Sequence, residues 1–143
     1  MDLRALTPMY SVSAQIDLTD LAAIKAAGYA VIIDNRPDTE IPEALHTEQM
    51  RARAEALGLE FIANPVIGGA ITMQNVTRQA EVLAQAQAPV LAYCASGNRS
   101  SVVWALANAG KVATDELIAI PARFGYNLEQ FRAQLDAIAA SQS

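Results

Sequence analysis

The sequence predicts a single-domain α/β fold with a mostly parallel central sheet flanked by helices. Two observations carry this reading. Ala30-Val31-Ile32-Ile33 and the stretch 89–93 are short, nearly unbroken apolar runs, the pattern of parallel strands covered on both faces. Helix-length segments lie between and around them, closed by Gly28 and Gly58 and opened near Pro42. Strands alternating with helices argue for a parallel sheet.

Each element has a local reason. Residues 9–13 read as the first strand. A helix over 18–27 follows, which Asp17 or Thr19 can cap; its Leu18, Leu21, Ala22 and Ile24 fit a 3.6-residue period imperfectly. Gly28 ends it, and strand 30–33 runs into a turn at Arg36-Pro37-Asp38. The next helix spans 42–57, with Pro42 in its first turn and Gly58 after it. Strand 59–63, loop 64–70 and helix 72–86 come next. Strand 89–93 feeds Cys94, and helix 100–109 follows that cysteine. Helices 114–124 and 128–140 close the chain, split at Gly125-Tyr126-Asn127.

Composition narrows the function. The 143 residues are 52% hydrophobic and 17% charged, enough for one domain with a real core. No apolar run approaches the ~20 residues of a membrane span. No basic stretch followed by an apolar one opens the chain, so cytoplasm is the default location. A net charge of −5 gives nucleic acid no basic face. With one Cys and one His there is neither an internal disulfide nor a tetrahedral zinc set, and no metal or cofactor is expected.

The most telling stretch is Val90-Leu91-Ala92-Tyr93-Cys94-Ala95-Ser96-Gly97-Asn98-Arg99-Ser100-Ser101. An apolar strand delivers the single cysteine to a short loop, and Arg99 closes that loop where a helix begins. Unpaired amides at a helix start, the positive dipole end and a guanidinium all favour an anion. They equally favour the thiolate, which is the nucleophilic form of cysteine. Gly97 supplies backbone freedom. Cys94 and Arg99 are therefore the expected catalytic pair, with Ala95, Ser96, Gly97, Asn98 and Ser100 binding substrate. The hydroxyls of Ser96 and Ser100 or Ser101 can donate to the thiolate or anion, or cap the helix.

Four residues separate Cys94 from Arg99. Protein tyrosine and dual-specificity phosphatases carry five there, and rhodanese sulfurtransferases typically four, so the loop length is similar to the rhodanese one. The rest of the chain resembles the β-lactamase-hydrolase-like, phosphatase-like domain family, small bacterial domains with a protein-tyrosine-phosphatase-like, dual-specificity-phosphatase fold. The motifs that carry the resemblance begin with Ser11-Val12-Ser13 and Gln15-Ile16. They continue through Val31-Ile32-Ile33-Asp34-Asn35-Arg36-Pro37-Asp38 and Asn64-Pro65-Val66 to Cys94-Ala95-Ser96-Gly97-Asn98-Arg99-Ser100, Trp104-Ala105-Leu106 and Gly125-Tyr126-Asn127-Leu128. Two departures stand out: Ala95, where the family often has Arg, and Tyr93, where phosphatases usually have His.

In an open α/β sheet the ligand crevice lies beyond the carboxyl ends of the strands. If strands 30–33 and 89–93 are neighbours, Arg36 and Asp38 share a rim with the thiol. Arg36 is then a second anion contact, or pairs with Asp34 or Asp38 to hold its loop; Asp34 itself reads as structural. His46 reads as a surface or capping residue, and Trp104 as core. Residues 64–72, where the resemblance implies an Asp that protonates the leaving group, contain neither Asp nor Glu.

The short loop and the missing acid together lead to the expectation of a sulfurtransferase. Cys94 would take sulfane sulfur from thiosulfate or a persulfide, become a persulfide, and pass the sulfur to an external thiol or cyanide. The partners expected are thus a small anionic sulfur donor and a thiol acceptor, with no nucleic acid and no membrane. Two alternatives stay open: a protein-tyrosine or dual-specificity type phosphatase working through a cysteinyl-phosphate, and a non-catalytic anion or redox sensor.

Overall fold

In the computed structural model, which describes residues 2–68 and 70–142, five strands pair into one sheet. They are β1 (Arg4–Thr7), β2 (Tyr10–Ser13), β3 (Val31–Asp34), β4 (Glu60–Ala63) and β5 (Val90–Tyr93). Their order is β1–β2–β5–β3–β4; β2, β5, β3 and β4 run parallel, and β1 is antiparallel to β2. The strand that delivers Cys94 is therefore central, with Ala92 in register with Val12 on one side and Ile33 on the other.

Why the apolar runs are unbroken is now visible. Successive side chains point to opposite faces. Val31, Ile33, Val90 and Ala92 pack into one core, and Ile32, Leu91 and Tyr93 into another. The second core is covered by α1 (Leu21–Ala26) and α2 (Thr47–Ala56), which contribute Leu21, Ile24, Met50 and Ala54. The first is covered by α3 (Met73–Gln85), α4 (Asn98–Asn108), α5 (Thr114–Ala122) and α6 (Arg132–Ser141). Each fully buried Ile32, Leu91 or Met50 contributes roughly 1.5–3 kcal/mol. Helix α4 is buried from Ser100 to Ala107. A helix so enclosed needs no amphipathic stripe. Trp104 is core, as expected, stacked on Tyr10 with centroids 6.4 Å apart.

Several predicted boundaries move. Strand β1 was not predicted; its four residues, with only Leu6 buried, carry too little pattern to be read alone. The predicted helix 18–27 opens as a 3-10 turn, Leu18–Asp20, before α1. The predicted helix 42–57 is a 3-10 turn, Glu43–Leu45, and then α2. The break is tertiary: Asp38 Oδ1 accepts the Thr47 amide at 2.8 Å and starts the helix there. The helix predicted over 128–140 is likewise a 3-10 turn, Glu129–Phe131, and then α6. Helix α4 begins two residues before the predicted 100. Gly69, within the predicted loop 64–70, lies outside the described residues. Among the described residues no helix is long and apolar enough to cross a membrane.

Candidate active site

Cys94 follows β5 directly and is 1% exposed. The Gly97 amide donates to its Sγ at 3.1 Å. Gly97 caps α4 with φ +100°, a left-handed conformation, and a β-carbon there would strike the Tyr126 hydroxyl. Both backbone and space require glycine. In the first turn of α4 the amides of Arg99 and Ser100 have no acceptor among the described residues.

The loop carbonyls explain which way its amides face. Ala95 O accepts the Gln15 amide at 3.3 Å, Ser96 O the Tyr126 hydroxyl at 2.8 Å, and Gly97 O the Ser101 amide and hydroxyl at 3.0 and 2.8 Å. In a trans peptide the N–H of the next residue points away from such a carbonyl. With these carbonyls engaged, the amides that follow them are turned the other way: the Gly97 amide meets the sulfur, and the Asn98 amide donates to Ser96 Oγ at 3.2 Å. Tyr126 is itself held by Arg4, whose Nη1 donates to its hydroxyl at 2.9 Å. Burial pushes the Tyr126 ionisation up, so the hydroxyl keeps its proton for Ser96.

A buried polar network fixes the loop from below. Ser100 Oγ donates to Asn35 Oδ1 at 2.9 Å, and Asn35 Nδ2 to Asn64 O at 3.0 Å. Tyr10 donates to Ser100 O at 2.8 Å and accepts from Gln79 at 2.7 Å. The Ser100 hydroxyl thus faces this network and not the thiol; what Ser100 can offer an anion is its amide. Ser101, too, is a loop support. Tyr93, in place of the usual His, is a core residue: burial first, then the Asp34 charge, push its ionisation up, and its hydroxyl has no hydrogen-bond partner among the described residues.

Arg99 sits across the mouth of the loop. Its Nη1 donates to Glu40 Oε2 at 2.8 Å and Val66 O at 2.7 Å, and its Nη2 to Glu40 Oε1 at 2.7 Å. A guanidinium has five N–H donors. Three are occupied here, leaving Nε–H and the second Nη2–H, the side-on fork suited to two oxygens of an anion. Arg36 reinforces the same carboxylate, with Nε 3.4 Å from Glu40 Oε1, and also donates to Glu40 O at 3.1 Å and Gln15 Oε1 at 3.3 Å. Arg99 above all, and Arg36 after it, hold the Glu40 carboxyl below the usual carboxylate range.

Arg36 therefore reaches the rim as expected, but its carboxylate partner is Glu40. Asp34 Oδ1 accepts the Arg36 amide at 2.9 Å, its carboxyl pushed up by burial, and Asp38 caps α2. His46, half-buried at the start of α2, has Nε2 3.0 Å from Ile41 O. Glu40 is the residue that sequence reasoning missed. Its only local signal is the i,i+4 spacing from Arg36; its main partner lies 59 residues away.

Beside the loop opens a cleft of about 550 Å³. Glu40, Ser96, Asn98 and Arg99 form its polar end; Ile71, Val102, Leu106 and Phe131 wall the rest, with Gln130 and Gln134 also lining it.

The model for the phosphatase-like domain of beta-lactamase hydrolase-like proteins matches residues 2–111. A beta-lactamase hydrolase-like protein of Xylella fastidiosa (strain Temecula1) is 30% identical over 120 residues, 82% of this chain. The chain spans 28% of that relative's length. Among solved structures, a candidate phosphatase of Neisseria meningitidis Z2491 is 33% identical, with 96% of this chain and 99% of that one covered and a TM-score of 0.81. Kinase associated phosphatase, solved with its catalytic-site cysteine replaced by serine, shares the fold at 13% identity and a TM-score of 0.76, covering 92% of this chain and 87% of its own. These likenesses overturn the sulfur-transfer expectation, and with it the sulfur donor and thiol acceptor. Residue count misled because it does not set the shape of the ring: α4 takes Asn98 and Arg99 into its first turn. The fold is of the protein-tyrosine-phosphatase and dual-specificity type, and the chain belongs to the phosphatase-like domain family of beta-lactamase hydrolase-like proteins.

Proposed function

We propose that this domain hydrolyses phosphate monoesters through a cysteinyl-phosphate intermediate. The observation that carries the reading is the loop in which the carbonyls of Ala95, Ser96 and Gly97 are all engaged, while the Gly97 amide meets the Cys94 sulfur and the amides of Arg99 and Ser100 have no acceptor among the described residues. Cys94 Sγ attacks phosphorus as the thiolate; the P–S bond forms, and the P–O bond to the leaving group breaks with its electron pair on oxygen. Water then attacks phosphorus, the P–S bond breaks, thiolate is regenerated and orthophosphate leaves. The amides of Ala95, Ser96, Gly97 and Ser100, with the Arg99 fork, hold the phosphoryl oxygens as charge shifts between them; the Asn98 amide joins them only on release from Ser96 Oγ, 3.2 Å away. Removing one such donor from an oxyanion site typically costs about 10²–10³ in rate. Arg36 acts at one remove, by fixing Glu40.

The test is turnover of 4-nitrophenyl phosphate by the wild type and Cys94→Ser, with mass spectrometry of acid-quenched wild type. A phosphoryl group on Cys94 and an inactive Cys94→Ser are expected. Equal turnover in both proteins, or none in the wild type, overturns the reading.

A further inference from the structure

We infer that Arg4, at the edge of the sheet, is a positioning residue for the Cys94 sulfur: through the Tyr126 hydroxyl it fixes and polarises the Ser96–Gly97 peptide, whose N–H meets that sulfur. Its consequence for turnover rests on the phosphatase reading and deepens it. Arg4 Nη1 donates to the Tyr126 hydroxyl at 2.9 Å, and that hydroxyl donates to Ser96 O at 2.8 Å. Ser96 O and the Gly97 N–H belong to one peptide group, which resonance keeps planar. The Gly97 N–H then donates to Cys94 Sγ at 3.1 Å. A fixed cation is thus joined to the nucleophile by an unbroken chain, although one stands on β1 and the other follows β5.

Hydrogen bonds in such a chain polarise one another. With a guanidinium on its oxygen, Tyr126 is a stronger donor, and a carbonyl that accepts a stronger bond leaves its own N–H more positive. That N–H favours thiolate over thiol, because a hydrogen bond to an ion is the stronger kind. Position matters as much. Arg4 Nη1 also donates to Phe124 O at 3.4 Å, and its Cζ lies 5.4 Å from the centre of the Tyr126 ring, so one guanidinium pins the turn 124–126 at both ends. Asp2 Oδ2 accepts Arg4 Nε at 3.0 Å and orients it. Leu6, two residues further along β1, packs in the core that holds Tyr126, and the strand's alternation brings Arg4 to the same side. Between Tyr126 and Gly97 there is no room even for a β-carbon, so a shift of the hydroxyl is a shift of the loop. The other titratable groups whose fields reach the sulfur, among the described residues, are Arg99 at the mouth and Tyr10 beneath. Burial pushes the Tyr10 and Tyr126 ionisations up, and a guanidinium stays charged. None of them changes charge near neutral pH, so a thiolate signal there is free of them.

The experiment titrates the thiolate by its ultraviolet absorbance, each protein less its Cys94→Ser counterpart, beside kcat/KM for 4-nitrophenyl phosphate and a thermal melt. The proteins are the wild type, Arg4→Lys, Arg4→Gln, Arg4→Met, Tyr126→Phe, the double variant Arg4→Met with Tyr126→Phe, and Leu6→Ala. Arg4→Met should raise the titration midpoint by about 0.4 pH unit or more and lower kcat/KM about two-fold or more, the lower end for residues coupled in one hydrogen-bonded network. Arg4→Lys should fall between it and the wild type. Arg4→Gln, which keeps a donor without the charge, should lie nearer Arg4→Met, and carries the comparison if that variant does not fold. The double variant should match Tyr126→Phe alone, since Arg4 acts through that hydroxyl. Leu6→Ala, a cut into the core from the same strand, should lower Tm and leave the midpoint in place. An unmoved midpoint in the Arg4 variants, a double variant whose two effects add, or a midpoint moved as far by Leu6→Ala overturns the role of Arg4. Midpoints that move as expected, with no Cys94-dependent turnover in the wild type, overturn the phosphatase reading and leave Arg4 its place at the sulfur.

Discussion

Replacing Tyr126 by Phe removes one oxygen atom, 2.8 Å from Ser96 O and 2.9 Å from Arg4 Nη1, and leaves the ring in place. The ring is only 6% exposed, so its packing survives. The folding cost is two hydrogen bonds, with Ser96 and Arg4 near enough to the surface for water to compensate in part, or about 1 kcal/mol in all. For a domain of this size that is a fall in Tm of roughly 3–4 °C. The effect on chemistry should be larger. Once Ser96 O is released, the peptide joining Ser96 to Gly97 can rotate, and the Gly97 amide leaves the sulfur it meets at 3.1 Å. Partial loss of that donor, against about 10²–10³ for complete removal of an oxyanion contact, puts the fall in kcat at ten-fold or more. The assay is 4-nitrophenyl phosphate turnover beside a thermal melt. The control is Tyr29→Phe, which loses a 2.8 Å contact with Ser11 away from the loop. Equal falls in Tm with activity unchanged in Tyr126→Phe would refute the argument that this hydroxyl sets the loop's peptide planes.

Arg99→Lys should cut kcat/KM ten- to a hundred-fold, roughly 1.5–3 kcal/mol, because an ammonium cannot hold Glu40 and present a planar fork together; steady-state kinetics on a folded variant checks it. Gly97→Ala forces a left-handed φ of +100° on alanine and drives its β-carbon against Tyr126. A loss of stability of at least ~1–2 kcal/mol, read by urea denaturation, should come with loss of activity. Because Glu40 is held below its ordinary value of 4.5, its pairing stabilises the fold fully above that value and is lost as pH falls through the lower, folded one. Glu40→Gln should therefore be less stable than the wild type at pH 7 and 6 alike, and the gap should narrow as pH falls below 4.5 and close below the lower, folded value; denaturation midpoints against pH would show it.

What could be read from the residues alone was what is local or periodic. The unbroken runs 30–33 and 89–93 announce strands buried on both faces, because covering a parallel sheet on both sides demands apolar residues at every position. Cys94, Gly97 and Arg99 mark a candidate anion loop, because a strand end, a glycine and a helix start within six residues of sequence put backbone amides and a guanidinium beside a thiol. Residue spacing alone could not say what the ring is for, since the count of four does not reveal that α4 absorbs Asn98 and Arg99. Nor could it identify Glu40, which matters only because the sheet order brings the loop after β3 beside the loop after β5. The same holds for Tyr126 on Ser96 and for Asn35 beneath Ser100: neither contact has a sequence period. Helix, strand and loop chemistry are set by neighbours along the chain, and so they are written in the sequence. The directions of the Ala95 and Ser96 carbonyls beside Cys94, and the main partner of Arg99, are set by groups 30 to 80 positions away, which only the folded sheet brings within hydrogen-bonding distance.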